Sequence, residues 1–166
     1  MSLGSGETVA LVGMMGSGKS TVARELGRLL RRRVVSSDAL VEVRAGKPVA
    51  RIFAEEGEPA FRAMERSAVR RIAGAVVADL GGGAFCDAGS AEHLLAAGPV
   101  VFLDVSPREA ARRLGAGDGR PLAARWEPLA RRRLPLYRRA THRVEVDGLS
   151  PDAVARRVLG LLGAAA

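Results

Sequence analysis

Thr8-Val9-Ala10-Leu11-Val12-Gly13-Met14-Met15-Gly16-Ser17-Gly18-Lys19-Ser20-Thr21 opens the chain's regular structure. Its first five residues read as a buried strand that Gly13 ends. The stretch Ser20–Leu30 reads as a helix, with Val22, Leu26, Leu29 and Leu30 at helical spacing. Between them lies G-x-x-x-x-G-K-[ST], in the context that pattern requires: after a strand and into a helix. Glycines let such a loop curl until successive backbone N–H groups converge on phosphate oxygens. The helix adds the positive end of its dipole. Gly13, Gly16, Ser17 and Gly18 would form the cradle. Lys19 would reach the β- and γ-phosphates, Ser20 would offer a hydroxyl to Mg²⁺, and Thr21 would lie near the α-phosphate. A plain turn explains the glycines but not the lysine. Lys19 and Lys47 are the only lysines among 26 basic residues, so arginine would be the default here.

Outward from this segment, β-like runs alternate with helical ones. A strand at Val34–Ser36 precedes a helix at Asp38–Arg44, and Val49–Glu56 and Pro59–Ile72 read as two more helices. Ala75–Leu80 is a strand running into Gly81-Gly82-Gly83, and Ala91–Ala97 a helix. Pro99–Val105 is a strand, Pro107–Leu114 a helix and Gly115–Gly119 a glycine-rich break. A helix over about Arg125–Arg139, a strand at Arg143–Val146 and an amphipathic helix at Pro151–Leu162 follow. Strands alternating with helices predict a parallel sheet covered on both faces. The expectation is one α/β domain over residues 1–166: a P-loop three-layer sandwich with a central parallel sheet of about five strands.

Composition agrees with that size and excludes some classes. A chain of 166 residues that is 48% hydrophobic can build its own core. A single cysteine, Cys86, rules out an intramolecular disulfide and suits a reducing compartment. Met1 to Glu7 lacks the charged start and apolar run of a signal peptide. No stretch is apolar enough for a membrane span. A cytoplasmic monomer is expected. The net charge of +8 could suggest nucleic acid, but aromatics are 4% and almost every cation is arginine. With no Asn or Gln and much Ala, Arg and Gly, the bias reads as that of a GC-rich genome. Individual arginines therefore carry more meaning than the sum.

Several residues make chemical sense individually. Arg62 lies four residues after Glu58 and three before Glu65, so both carboxylates can hold its guanidinium on one helix face. Without more, that row reads equally as a solvated ion-pair ladder. Asp38 suits either the orientation of an attacking hydroxyl or the N-cap of its helix. Three consecutive glycines at 81–83 exceed what a turn needs, and they follow a strand end, where ligands gather in α/β sheets.

From Val9 to about Val158 the chain resembles the shikimate kinase family. The shared features are G-M-M-G-S-G-K-S-T, Asp38 after the second strand, G-E-P-A-F-R-A-M-E (Gly57–Glu65), the triple glycine, R-P-L (Arg120–Leu122) and R-L-P-L-Y (Arg133–Tyr137). The resemblance implies a nucleoside-monophosphate-kinase-like fold and phosphorylation of the 3-hydroxyl of shikimate by ATP with Mg²⁺. It implies that Arg62 and Arg133 clamp the substrate carboxylate, that Gly81, Gly82 and Gly83 approach the ring, and that Asp38 acts on the hydroxyl. It further implies a lid at about residues 115–125 carrying Arg120 to the transferring phosphoryl group, and an adenine-side Arg113. Trp126 would pack the lid hinge or simply the core.

Two departures stand out. The family carries Asp-x-Asp after its second strand, and here the run is Ser36-Ser37-Asp38, with Asp104 as a conceivable substitute for the missing charge. The basic residue expected beside adenine is not evident around Leu149 and Ser150. Two alternatives therefore stand: another small-molecule P-loop kinase, such as one for gluconate, or a nucleotide-binding relative weakened by Ser36. His93 and His142 fall on no motif and are expected at the surface.

Overall fold

A computed structural model describes residues 3–115 and 122–164. Five parallel strands form one sheet in the order β2-β3-β1-β4-β5. They are β1 (Val9–Val12), β2 (Arg33–Ser36), β3 (Val76–Asp79), β4 (Val100–Asp104) and β5 (His142–Glu145). Among the described residues the helices are α1 (Lys19–Leu30), α2 (Ser37–Ala45), α3 (Val49–Glu56), α4 (Glu58–Val69), α5 (Ala88–Ala97), α6 (Pro107–Leu114), α7 (Leu122–Tyr137) and α8 (Pro151–Leu161). A short 3₁₀ turn at Ala84–Cys86, which the periodicity does not announce, links the triple glycine to α5.

The central strand β1 is buried along its whole length, as its unbroken apolar run demands. Parallel strands must be joined by crossovers, so each of β1 to β4 feeds helical chain before the next strand. Helix α1 buries Val22, Ala23 and Leu26 and packs beside α8, whose Val154, Val158 and Leu159 face inward. A second, smaller core of Val41, Ile52, Phe61 and Ala68 joins α2, α3 and α4 at the β2 side of the sheet. Each such fully buried aliphatic side chain contributes about 1.5–3 kcal/mol.

Expected and observed elements differ mainly at their ends. Helix α5 begins three residues early because the Asp87 carboxylate accepts the Ser90 N–H at 2.9 Å, capping it. Helix α4 stops at Val69, before the turn that leads to Gly74 in the left-handed region at φ 80°.

The register brings the site together. Ala10 and Leu11 of β1 lie beside Ala78 and Asp79 of β3, and Ser36 of β2 lies beside Asp79 on its other flank. The carboxyl ends of β1, β2 and β3 thus deliver the glycine loop, Asp38 and the triple glycine to one edge of the sheet.

Candidate active site

The loop after β1 has the backbone a phosphate cradle needs. Gly16 and Gly18 both sit at φ 83°, a left-handed conformation that side-chain-bearing residues rarely adopt. Helix α1 starts at Lys19 with no capping side chain, so its first N–H groups are left for a ligand. By contrast, α2, α6 and α8 are each capped by a serine. Ser17 is fully buried and its Oγ has no partner among the described residues. Such an orphan hydroxyl fits a loop built around a bound anion. Lys19 Nζ donates to the Gly13 carbonyl at 2.8 Å and to Met14 at 3.4 Å, holding the ammonium against the loop. Burial depresses its pKa, and Arg133 adds to this, while Asp79 and Asp38 oppose it.

Two other side chains brace the loop from outside. Arg113 Nη1 donates to the carbonyls of Gly16 and Ser17 at 3.3 Å, and its Nη2 donates to Val146 at 2.9 Å. Trp126, on α7, donates its indole N–H to Met15 at 3.3 Å. Trp126 is buried in the main core, as one reading has it, and ties α7 to the loop; the lid whose hinge it would pack lies mostly outside the described residues.

Asp38 is not a helix cap. Ser36 caps α2 by accepting the Ala39 N–H at 3.3 Å, and Asp38 lies one residue inside the helix with Oδ1 buried and unpartnered. Burial raises its pKa above the usual carboxylate range, with further contributions from Asp79 and Glu42 that Lys19 and Arg62 partly offset. The neighbouring Ser37 is wholly buried and accepts the Gly81 N–H at 2.8 Å.

Each glycine of the triple makes room for a different functional side chain. A Cβ at Gly81 would lie 2.6 Å from Asp38 Oδ1 and 2.9 Å from Glu65 Oε1. One at Gly82 would lie 2.6 Å from Arg133 Nη1, and one at Gly83 would overlap the Arg62 guanidinium. None of the three has a positive φ, so space and not conformation demands glycine there.

Arg62 is held by Glu65 at 2.6 Å and Glu58 at 3.2 Å, as the spacing predicts. Burial works against its charge, but the two carboxylates outweigh that effect and raise its pKa. Glu65 is itself buried, which raises its own pKa against the pull of Arg62, and its Oε1 has no partner. Tyr137 is buried against Phe102 and donates its hydroxyl to the Gly82 carbonyl. Arg62, Gly83, Cys86 and Arg133 line a cleft of about 320 Å³. Two half-buried guanidinium groups facing one small cleft suit a carboxylate ligand.

Asp79, Ser37 and Tyr137 escape sequence reasoning. Glu65 is foreseen only as a partner of Arg62, and Tyr137 only as the end of a quoted motif. Asp79 ends a strand, and only sheet order places it against the loop: Ser20 Oγ donates to Asp79 Oδ2 at 2.6 Å. Asp104 does not substitute for the missing charge, because Arg143 pairs with it at 2.6 Å on the β4–β5 side. Thr21 is exposed on α1. Cys86 is half-buried, lining the cleft while packing against the main core. His93 and His142 are also half-buried, and His93 Nε2 lies 2.9 Å from the Ile72 carbonyl. Arg120 and most of the 115–125 segment lie outside the described residues. Among the described residues no helix is long and apolar enough to cross a membrane.

Comparison with known proteins agrees with this arrangement. A family model described as shikimate kinase matches residues 15–162. A shikimate kinase from Rhodococcus erythropolis is 41% identical over 161 residues, spanning 92% of this chain and 95% of that protein. A solved structure of shikimate kinase from Acinetobacter baumannii in complex with shikimate superposes with a TM-score of 0.86 at 32% identity, over 94% of this chain and 92% of that one. A gluconokinase from Sinorhizobium meliloti, at TM-score 0.56 and 20% identity over 95% and 91%, shares the fold alone. With its glycine loop, buried Asp38 carboxylate and arginine-lined cleft in the positions described, the chain belongs to the shikimate kinase family.

Proposed function

We propose that this chain transfers the γ-phosphoryl group of ATP to the 3-hydroxyl of shikimate, yielding shikimate 3-phosphate and ADP. The observation that carries the reading is the pairing of Arg62 and Arg133 across the triple glycine, beside a phosphate-cradling loop. The family relationship supports the choice of acceptor.

The residues divide the work by position. Loop amides, Lys19 and the start of α1 hold the phosphates, with Thr21 at the α-phosphate and Arg113 beside the adenine. Arg62 and Arg133 bind the substrate carboxylate bidentately, which fixes the ring, and Gly81–Gly83 leave room for those side chains and for the ring. Asp38, a buried carboxylate with a raised pKa, accepts a hydrogen bond from the attacking hydroxyl and takes its proton as the O–P bond forms. Arg120, carried by a lid over about residues 115–125, stabilises charge on the transferring group. Ser20 would help hold Mg²⁺, which would supply neutralising charge at the nucleotide phosphates. The enzyme works on small molecules as a cytoplasmic monomer supplying aromatic amino-acid synthesis, without nucleic acid or membrane. A coupled ADP-release assay with shikimate, with gluconate and without acceptor tests the reading. Release should require shikimate; release with gluconate alone, or equal release in all three, would refute it.

A further inference from the structure

Ser20 and Asp79 make a contact that the phosphate-binding role of the loop does not require. Ser20 is the loop hydroxyl best placed for a divalent cation, and its Oγ donates to the Asp79 carboxylate at 2.6 Å. Asp79 ends β3, which runs directly beside β1, the strand that feeds the loop. On its other flank Asp79 is in register with Ser36. Ser36 is the neutral residue standing where the family's first aspartate would be, and its hydroxyl is engaged in capping α2. Asp38, whose Oδ1 is buried without a partner, completes the corner.

From this geometry we infer that Asp79 is the metal-site carboxylate of this enzyme: the negative charge absent at position 36 is supplied one strand over, at its register partner on β3. Two carboxylates near one lysine and one serine suit Mg²⁺, which combines one or two carboxylates with waters and nucleotide phosphates. A cage of protein ligands alone is neither needed nor present among the described residues. Asp104, tied to Arg143 on the β4–β5 side, has no part in the site. The inference rests on the kinase reading and deepens it. Ser36 then marks a relocated charge and not a degraded site.

The test is Mn²⁺ binding in the presence of ADP, followed by electron paramagnetic resonance, for the wild-type protein, Asp79→Asn and Ser36→Asp/Asp79→Asn. ADP affinity in EDTA is measured alongside by calorimetry. Asp79→Asn, nearly isosteric, should weaken Mn²⁺ binding by about tenfold or more while metal-free ADP affinity stays within about twofold. The double variant should recover most of the loss, because its new carboxylate lies at the paired position. Unchanged Mn²⁺ affinity in Asp79→Asn overturns the inference and leaves the kinase reading intact. Loss of metal-free ADP binding in that variant also overturns it, since the residue would then serve the loop's shape. If the wild type fails to phosphorylate shikimate the kinase reading falls, and the Mn²⁺ titration still decides the role of Asp79.

Discussion

Replacing Gly83 by alanine should damage shikimate binding without damaging the fold. Gly83 sits at φ −98°, where alanine fits the backbone, so there is no conformational penalty. The added Cβ would overlap the Arg62 guanidinium, with Cζ at 2.5 Å and Nη2 at 2.7 Å. Ordinary contact between such atoms is about 3.5 Å, so the guanidinium must withdraw by roughly 1 Å. It is the far end of a flexible side chain, and Glu58 on the exposed side can follow it. The melting temperature should therefore fall by no more than about 3 °C, the equivalent of about 1 kcal/mol. A charge-assisted hydrogen bond to a carboxylate is worth about 1.5–3 kcal/mol, or roughly 10- to 150-fold in affinity. Calorimetric titration of the variant should show shikimate affinity reduced within that range and ADP affinity within about twofold of wild type. Unchanged shikimate affinity, or a parallel fall for ADP, would refute the assignment of Gly83 as the space for the clamp.

Gly81→Ala should behave differently, because its Cβ meets the buried carboxylates of Asp38 and Glu65. It should lower kcat more than it raises the shikimate KM, and steady-state kinetics with both substrates varied can separate the two. Asp38→Asn should reduce kcat by about 10²- to 10⁴-fold, the usual range for a lost general base, while calorimetry still detects both ligands. Tyr137→Phe leaves the Gly82 carbonyl without its hydroxyl donor. A loss of about 1–3 kcal/mol is expected in urea unfolding, and no loss would mean that the hydroxyl is not a support of the glycine turn.

The alternation of strands and helices was readable from periodicity because β1, β3 and β4 are built on short apolar runs bounded by glycine or polar residues. The glycine loop was readable for a related reason: its chemistry is local, with glycines, Lys19 and Ser20 within a few residues. Arg62 was half readable. The i±3 and i±4 carboxylates that hold it are visible in sequence, but its partnership with Arg133 arises only when α4 and α7 meet across the triple glycine. Asp79 was not readable at all. Its significance depends on β3 lying between β1 and β2, with partners such as Leu11 and Ser36 far away along the chain. The surroundings of Ser36 were hidden for a similar reason, since its register partner Asp79 lies across the sheet. The capping role weighed as one alternative for Asp38 belongs to Ser36, a distinction of two residues that only the N–H geometry of α2 resolves.

The product itself offers the most direct test of the central claim. Proton-coupled ³¹P spectra of the reaction of this protein with MgATP and shikimate should show a new phosphomonoester whose phosphorus couples to the proton on ring carbon 3. Phosphorus coupled to a different ring proton, or inorganic phosphate as the sole new signal, would contradict a site in which two arginines fix the ring by its carboxylate and present that hydroxyl to the nucleotide.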